Sequence, residues 1–239
     1  MSCMRVLDAG MPLFFHYQET LEMSDDVAVI SRDRVKMDEQ AVLKYANRKP
    51  GKHAAEMALV ERSMPELPAG ACVLDAPCGA GRLSLWMVQQ GWQVSAIDMG
   101  AAAVDFTRQL LIDNGFSVEV KEGDIFSMPW ERRAFKLVVC FRLIHHFSDA
   151  RVREKLLREL ARVSDQHLLI SYLSPWSYTG VKRWLKYRLT GHSSRQNHTT
   201  LRELKSMLEP LGFILAKDVA QRRLFHALHM AYFVRVNNR

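Results

Sequence analysis

The chain has 239 residues, 48% hydrophobic and 25% charged, a balance that excludes long disorder and a fibrous repeat. Its 33 Lys+Arg against 26 Asp+Glu give a formal charge of +7, which favours anionic partners such as nucleotide cofactors but is weak evidence for nucleic acid. The cysteines Cys3, Cys72, Cys78 and Cys140 have neither metal-finger spacing nor disulfide-framework density, no apolar run approaches the roughly 18 residues of a bilayer span, and Asp8 interrupts any signal peptide, so a cytoplasmic protein is expected.

In chain order, helices are predicted over 36–47 and 54–64, separated by a breaker over 48–53. They form an N-terminal helical cap, assigned to 1–66. From Ala71 the pattern becomes strand, turn, helix, repeated. Strand 71–74 ends in Asp75 and runs into the turn Pro77-Cys78-Gly79-Ala80-Gly81, and helix 83–90 then stops at Gly91, suited to a left-handed cap. Strand 94–97 ends in Asp98, helix 101–114 in Gly115, and strand 118–122 in Gly123-Asp124. The apolar strand 135–141 reads as central, because strands buried on both faces lose their alternation. Helix 151–163, strand 167–172, an insertion over 173–198, a helix capped by Thr199 or Thr200, and an antiparallel strand pair over 213–219 and 228–236 complete the chain. The expected second domain, 67–239, is a doubly wound α/β unit with a mainly parallel sheet, whose ligands bind outside the carboxyl ends of its strands.

Those ends carry Asp75, Asp98 and Asp124 on successive strands. One such aspartate is ordinary turn chemistry, but three beside a glycine turn that opens a helix describe a binding edge. Gly79 and Gly81 let a ligand approach the backbone and the helix N-terminus. Asp98 is placed to accept both hydrogens of a ribose diol. A carboxylate at Asp75 would repel a dinucleotide's pyrophosphate and welcome an ammonium, so S-adenosylmethionine fits better than NAD.

The segment Val73-Leu74-Asp75-Ala76-Pro77-Cys78-Gly79-Ala80-Gly81-Arg82 resembles the first motif of the class I S-adenosylmethionine-dependent methyltransferases. Asp98 matches their acidic second-strand residue, Gly123-Asp124-Ile125 through Trp130 their adenine-contacting segment, and Phe135 through Phe147 their fourth strand and histidine-bearing turn. Pro77 stands where many members have a glycine, and Lys136 where an acid is commoner. The resemblance implies a Rossmann-like fold with S-adenosylmethionine as cofactor. It implies that Asp75 and the backbone of Ala76, Pro77, Cys78, Gly79 and Gly81 hold the methionine moiety. Asp98 would take the ribose with Met99 against adenine, Asp124 the adenine amine with Ile125 on its other face, and Arg142 would border the sulfonium and the acceptor.

Methyl transfer from a sulfonium needs alignment and exclusion of water rather than a metal. A hydroxyl acceptor needs a base, and His145 and His146 lie where one should be. Taken singly, each is more simply a ring bonded to nearby backbone, and the expectation is that one of the two faces the pocket. As adjacent residues with no acid cluster nearby they make a poor metal pair, and no metal is expected. The turn lacks the signature of base-amine methylating enzymes and the paired glutamates of protein-arginine methyltransferases, which leaves a small-molecule, lipid or glycan acceptor. The alternative is a non-catalytic S-adenosylmethionine-binding sensor or partner subunit.

Within the insertion, 181–189 as a helix puts Val181, Trp184, Leu185 and Leu189 on one face and Lys182, Arg183 and Lys186 on the other. It reads as a lid over the acceptor, with peripheral membrane contact as the rival. Arg158 and Arg162 share a helix face, which is a solvated surface unless a regulatory ligand sits there. Arg48, Lys49, Lys52 and His53 either clamp a carboxylate over the cofactor or form a wet turn. Oligomeric state is not legible.

Overall fold

The computed structural model describes Val42 and residues 50–176, 197–222 and 227–236. The predicted helix 36–47 (apart from Val42) and the amphipathic segment 181–189 lie outside the described residues, as does most of the 1–66 cap. The elements are α1 (Pro50–Ser63), β1 (Cys72–Asp75), α2 (Arg82–Gln89), β2 (Gln93–Asp98), α3 (Ala101–Asp113), β3 (Glu119–Glu122), β4 (Phe135–Cys140), a 3-10 turn (Ile144–His146), α4 (Ala150–Val163), β5 (Ser164–Leu173), α5 (Leu201–Leu208), β6 (Phe213–Ala220) and β7 (Leu228–Arg235).

The seven strands form one sheet in the order β3-β2-β1-β4-β5-β7-β6. Strands β1 to β5 run parallel, and β7 is antiparallel to both β5 and β6. Val73, Leu74 and Asp75 of β1 lie opposite Leu137, Val138 and Val139 of β4, which is the central strand its unbroken apolar run predicts. The final strands do pair antiparallel. Their spatial order is reversed relative to the chain, with β7 between β5 and β6.

Both faces of the sheet are covered. Leu74, Val138, Ile170 and Phe233 pack with Leu156, Leu160 and Leu204 of α4 and α5. On the other face Val73, Leu137, Val139 and Met230 pack with Leu59 of α1 and with Leu83 and Met87 of α2. Alternate residues of each strand serve opposite layers, as the pleat requires.

Local chemistry sets the ends of the elements. Asp149 caps α4 by accepting from the Arg151 backbone N–H, and Thr200 caps α5 by accepting from Glu203 N. Gly91 takes φ +80° after α2, as its predicted capping role demands. Two boundaries differ from expectation. Helix α1 begins at Pro50, inside the predicted breaker, because the first helical turn needs neither the N–H nor the φ freedom that proline lacks. Strand β5 begins directly after α4 at Ser164 rather than at His167, where pairing with Phe135 of β4 overrides a locally polar sequence.

Candidate functional site

The loop between β1 and α2 crosses the carboxyl edge of the sheet and is pinned from three sides. Ala76 N donates to Val139 O (3.0 Å), Cys78 N to Ile97 O (2.9 Å), and the Thr107 hydroxyl to Gly79 O (3.2 Å). Gly79 and Gly81 have φ of +59° and +69°. At Gly81 a Cβ would lie 2.8 Å from Thr107 Cγ2, so the approach of α3 as well as the backbone angle requires glycine. Pro77 occupies the loop without needing positive φ, and the glycine turn forms beyond it.

Asp98, half-buried at the end of β2, accepts from Gly79 N (2.8 Å) through Oδ2 and from Gly100 N (3.0 Å) through Oδ1. It therefore ties the first loop to the second. Each carboxylate oxygen still has lone-pair capacity for a ligand hydroxyl. Met99 beside it is half-buried against the core. Asp124 is exposed and accepts from Phe126 N (2.8 Å), while Ile125 is packed in the core at 2% exposure.

Asp75 is 1% exposed, beneath the loop rather than open on its surface. The Ser84 hydroxyl donates to its Oδ2 (2.7 Å), and its Oδ1 is buried with no hydrogen-bond partner. Burial pushes this carboxyl up to about 7, with the Ser84 bond opposing the rise and Asp98 adding to it. Burial, together with the negative charges of Asp98 and Asp75, also pushes the Cys78 thiol up, so it stays protonated as a packing group. An orphaned buried acceptor under a cradle of glycines fits a ligand that carries a cation and a diol, as S-adenosylmethionine does.

The turn after β4 differs in part from expectation. Arg142 takes φ +61°, and its N–H donates to the Ser171 hydroxyl of β5 (2.5 Å). Its guanidinium turns to Glu56 of α1, with Nη1 2.9 Å from Oε1. The 1%-exposed Glu56 also lies 3.9 Å from Arg82, and Arg82 is 2.9 Å from His53 Nδ1. Glu56 thus joins α1 to the residue after the glycine loop and to the post-β4 turn. It escaped the sequence reading because a single glutamate inside a helix carries no signal. His53 did belong to the basic group singled out there.

His145 and His146 sit on the 3-10 turn with ring centroids 4.2 Å apart. His145 is 1% exposed, and His146 is half-buried. Asn197 N donates to His145 O (2.8 Å), bringing the end of the insertion against this turn. Among the described residues no cluster of His, Cys, Asp or Glu could hold a metal ion, and no helix is long and apolar enough to cross a membrane.

Residues 73–166 match the family described as a methyltransferase domain. A ubiquinone biosynthesis O-methyltransferase of Stutzerimonas stutzeri is 35% identical over 82 residues, covering 34% of this chain and 35% of the relative. A ribosomal RNA small subunit methyltransferase C of Alcanivorax borkumensis is 42% identical over 55 residues, 23% of this chain and 17% of the relative. The chain thus spans about a third or less of the length of these relatives. Among solved structures, the magnesium protoporphyrin IX methyltransferase of Synechocystis with bound S-adenosylhomocysteine superposes with a TM-score of 0.62 at 17% identity, covering 95% of this chain and 90% of that one. The PH0226 protein of Pyrococcus horikoshii gives 0.64 at 17% identity, over 79% and 93%. At such identities the structures show the shared fold. With that fold, the glycine loop and the aspartates at the strand ends in place, residues 73–166 resemble a methyltransferase domain set in a Rossmann-like methyltransferase fold.

Proposed function

We propose that the protein transfers the methyl group of S-adenosylmethionine to a hydroxyl of a small organic acceptor. The observation that carries this reading is the buried Asp75 carboxyl, with one unpaired oxygen beneath a glycine loop and Asp98 beside it. That arrangement suits an ammonium and a ribose diol and repels a pyrophosphate. Asp75 and the backbone of Ala76 to Gly81 hold the methionine end, Asp98 the ribose hydroxyls, and Asp124 the adenine amine. When bound, the cofactor supplies a methyl group on a sulfonium, open to in-line displacement.

The chain's own contribution is alignment, exclusion of water and custody of one proton. His146, half-exposed on the turn after β4, takes the hydroxyl proton as the acceptor oxygen bonds to the methyl carbon. His145 is buried behind it and supports the ring. Arg142, committed to Glu56, braces α1 against this turn and fixes the wall of the acceptor space. The acceptor class draws support from the ubiquinone biosynthesis O-methyltransferases among the relatives. A lipid or glycan hydroxyl obeys the same chemistry.

Two measurements test the proposal. Calorimetry with S-adenosylhomocysteine reads the pocket, and absence of binding at submillimolar ligand overturns it. Transfer of labelled methyl groups into cell extracts then reads catalysis. Binding without any transfer would make the chain a sensor instead.

A further inference from the structure

The opposite edge of the sheet holds a second feature that methyl transfer does not use. A groove of about 490 Å³ opens there, lined by Arg132, Lys155, Arg158, Arg162 and Arg235 against a single carboxylate, Glu159. It lies where β4 and β5 begin and β7 ends, away from the strand ends that carry Asp75 and Asp98. Its size falls within the range of small-molecule sites, roughly 300–1,000 Å³.

The charge in this groove is positive and largely immobile. Glu159 is already committed, accepting from Arg162 (2.7 Å) and from Met128 N (2.6 Å). Arg162 also donates to the carbonyls of Trp130 (2.7 Å) and Met128 (2.9 Å). Arg235 donates to the carbonyls of Asp165, Leu211, Ala161 and Ser164, with its guanidinium 4.2 Å from the centre of the Phe213 ring. Both guanidiniums are therefore fixed before any ligand arrives, so little rotamer entropy is lost on binding. Arg158 shares its charge with Glu154 (2.6 Å). Among the described residues, neither Arg132 nor Lys155 has a carboxylate partner.

Arg133, next to Arg132, takes φ +60°, and its N–H donates to Arg162 O (2.8 Å). Burial, and then the neighbouring charges of Arg133 and Arg132, lower the pKa of Arg235. Like charges held together against their repulsion mark a place where an anion would be stabilising. The floor of the groove is apolar, formed in part by Phe126, Pro210 and Leu211.

We infer that this groove is a second ligand site for an organic diphosphate of nucleoside diphosphate size. Arg132 and Lys155 engage the phosphoryl groups, Arg162 and Arg235 supply fixed positive potential behind them, and the organic moiety rests on the apolar floor. The groove meets the cofactor edge at Phe126, whose N–H donates to Asp124, while its cations lie at the other ends of the strands.

Titration calorimetry of the full chain with ADP and with inorganic pyrophosphate tests it, using wild type and the Arg132→Ala/Lys155→Ala double variant. ADP is expected to bind with a Kd below about 1 mM, more tightly than pyrophosphate, and at least about tenfold more weakly to the variant. Unchanged S-adenosylhomocysteine affinity in the variant shows that it is folded and that the two sites are distinct. No ADP binding to wild type, or equal binding to both proteins, overturns the inference. Binding of single-stranded RNA or anionic vesicles that the variant loses, with ADP bound by neither protein, also overturns it and makes the groove a macromolecular surface.

Discussion

Replacing Asp75 by Asn tests the cofactor loop at its electrostatic centre. The carboxyl is 1% exposed, and burial pushes it up to about 7, with the Ser84 hydroxyl opposing the rise and Asp98 adding to it. An unfolded aspartate titrates near ~3.9. The folded chain therefore holds this proton more tightly than the unfolded chain does. The stability Asp75 contributes is full below about pH 4 and is lost as pH rises through about 7. Between about pH 5 and 7 the loss is roughly two pH units at ~1.36 kcal/mol each, or about 2–3 kcal/mol. Asp75→Asn cannot ionise, yet it keeps an oxygen to accept from Ser84. Urea unfolding across this range should show wild-type stability falling by that amount relative to the variant. The same change should weaken S-adenosylhomocysteine binding by about tenfold, because the ligand's ammonium loses its counter-charge. A variant both more stable near neutral pH and poorer at binding is the expected pair of results. Parallel pH dependences in the two proteins, or unaltered ligand affinity, would refute the reasoning.

Glu56→Gln should destabilise the fold by about 2–4 kcal/mol, since it removes a carboxylate 2% exposed in its side chain from two guanidiniums that are 14% and 17% exposed. Scanning calorimetry should show a melting temperature lower by about 4–16 °C, and a change below about 1 °C would mean that the network carries no weight. Asp98→Ala should weaken S-adenosylhomocysteine binding by about 1.5–3 kcal/mol, read by calorimetry, through loss of charge-assisted hydrogen bonds and of the tie to Gly79 and Gly100. His146→Ala should lower turnover by ~10²–10⁴ while leaving cofactor affinity nearly intact. Unchanged turnover in a steady-state assay would remove His146 from the chemistry.

What the sequence determined by itself is what depends on near neighbours along the chain. Alternating strand and helix periods, Gly79 and Gly81 after a strand, and Asp75, Asp98 and Asp124 at successive strand ends specify a doubly wound sheet and its binding edge. Each such feature is carried by a few consecutive residues. The family resemblance rests on those same short segments. Tertiary structure alone decided how those residues are used. Asp75 is buried under the loop because Ser84 and the loop close over it, and no local pattern reports burial depth. Arg142 turns to Glu56 across 86 positions of sequence, so the pair forms only when α1 docks beside the turn after β4. Strand β7 lies between β5 and β6 because its two apolar faces complete both layers of core, a choice of partner that strand periodicity leaves open. The basic groove joins Arg132, Lys155, Arg162 and Arg235, which come from a loop, a helix and the last strand. Each is an ordinary surface cation when read along the chain. Only the close packing of α4 against the start of β5 and the end of β7 concentrates their charge in one place.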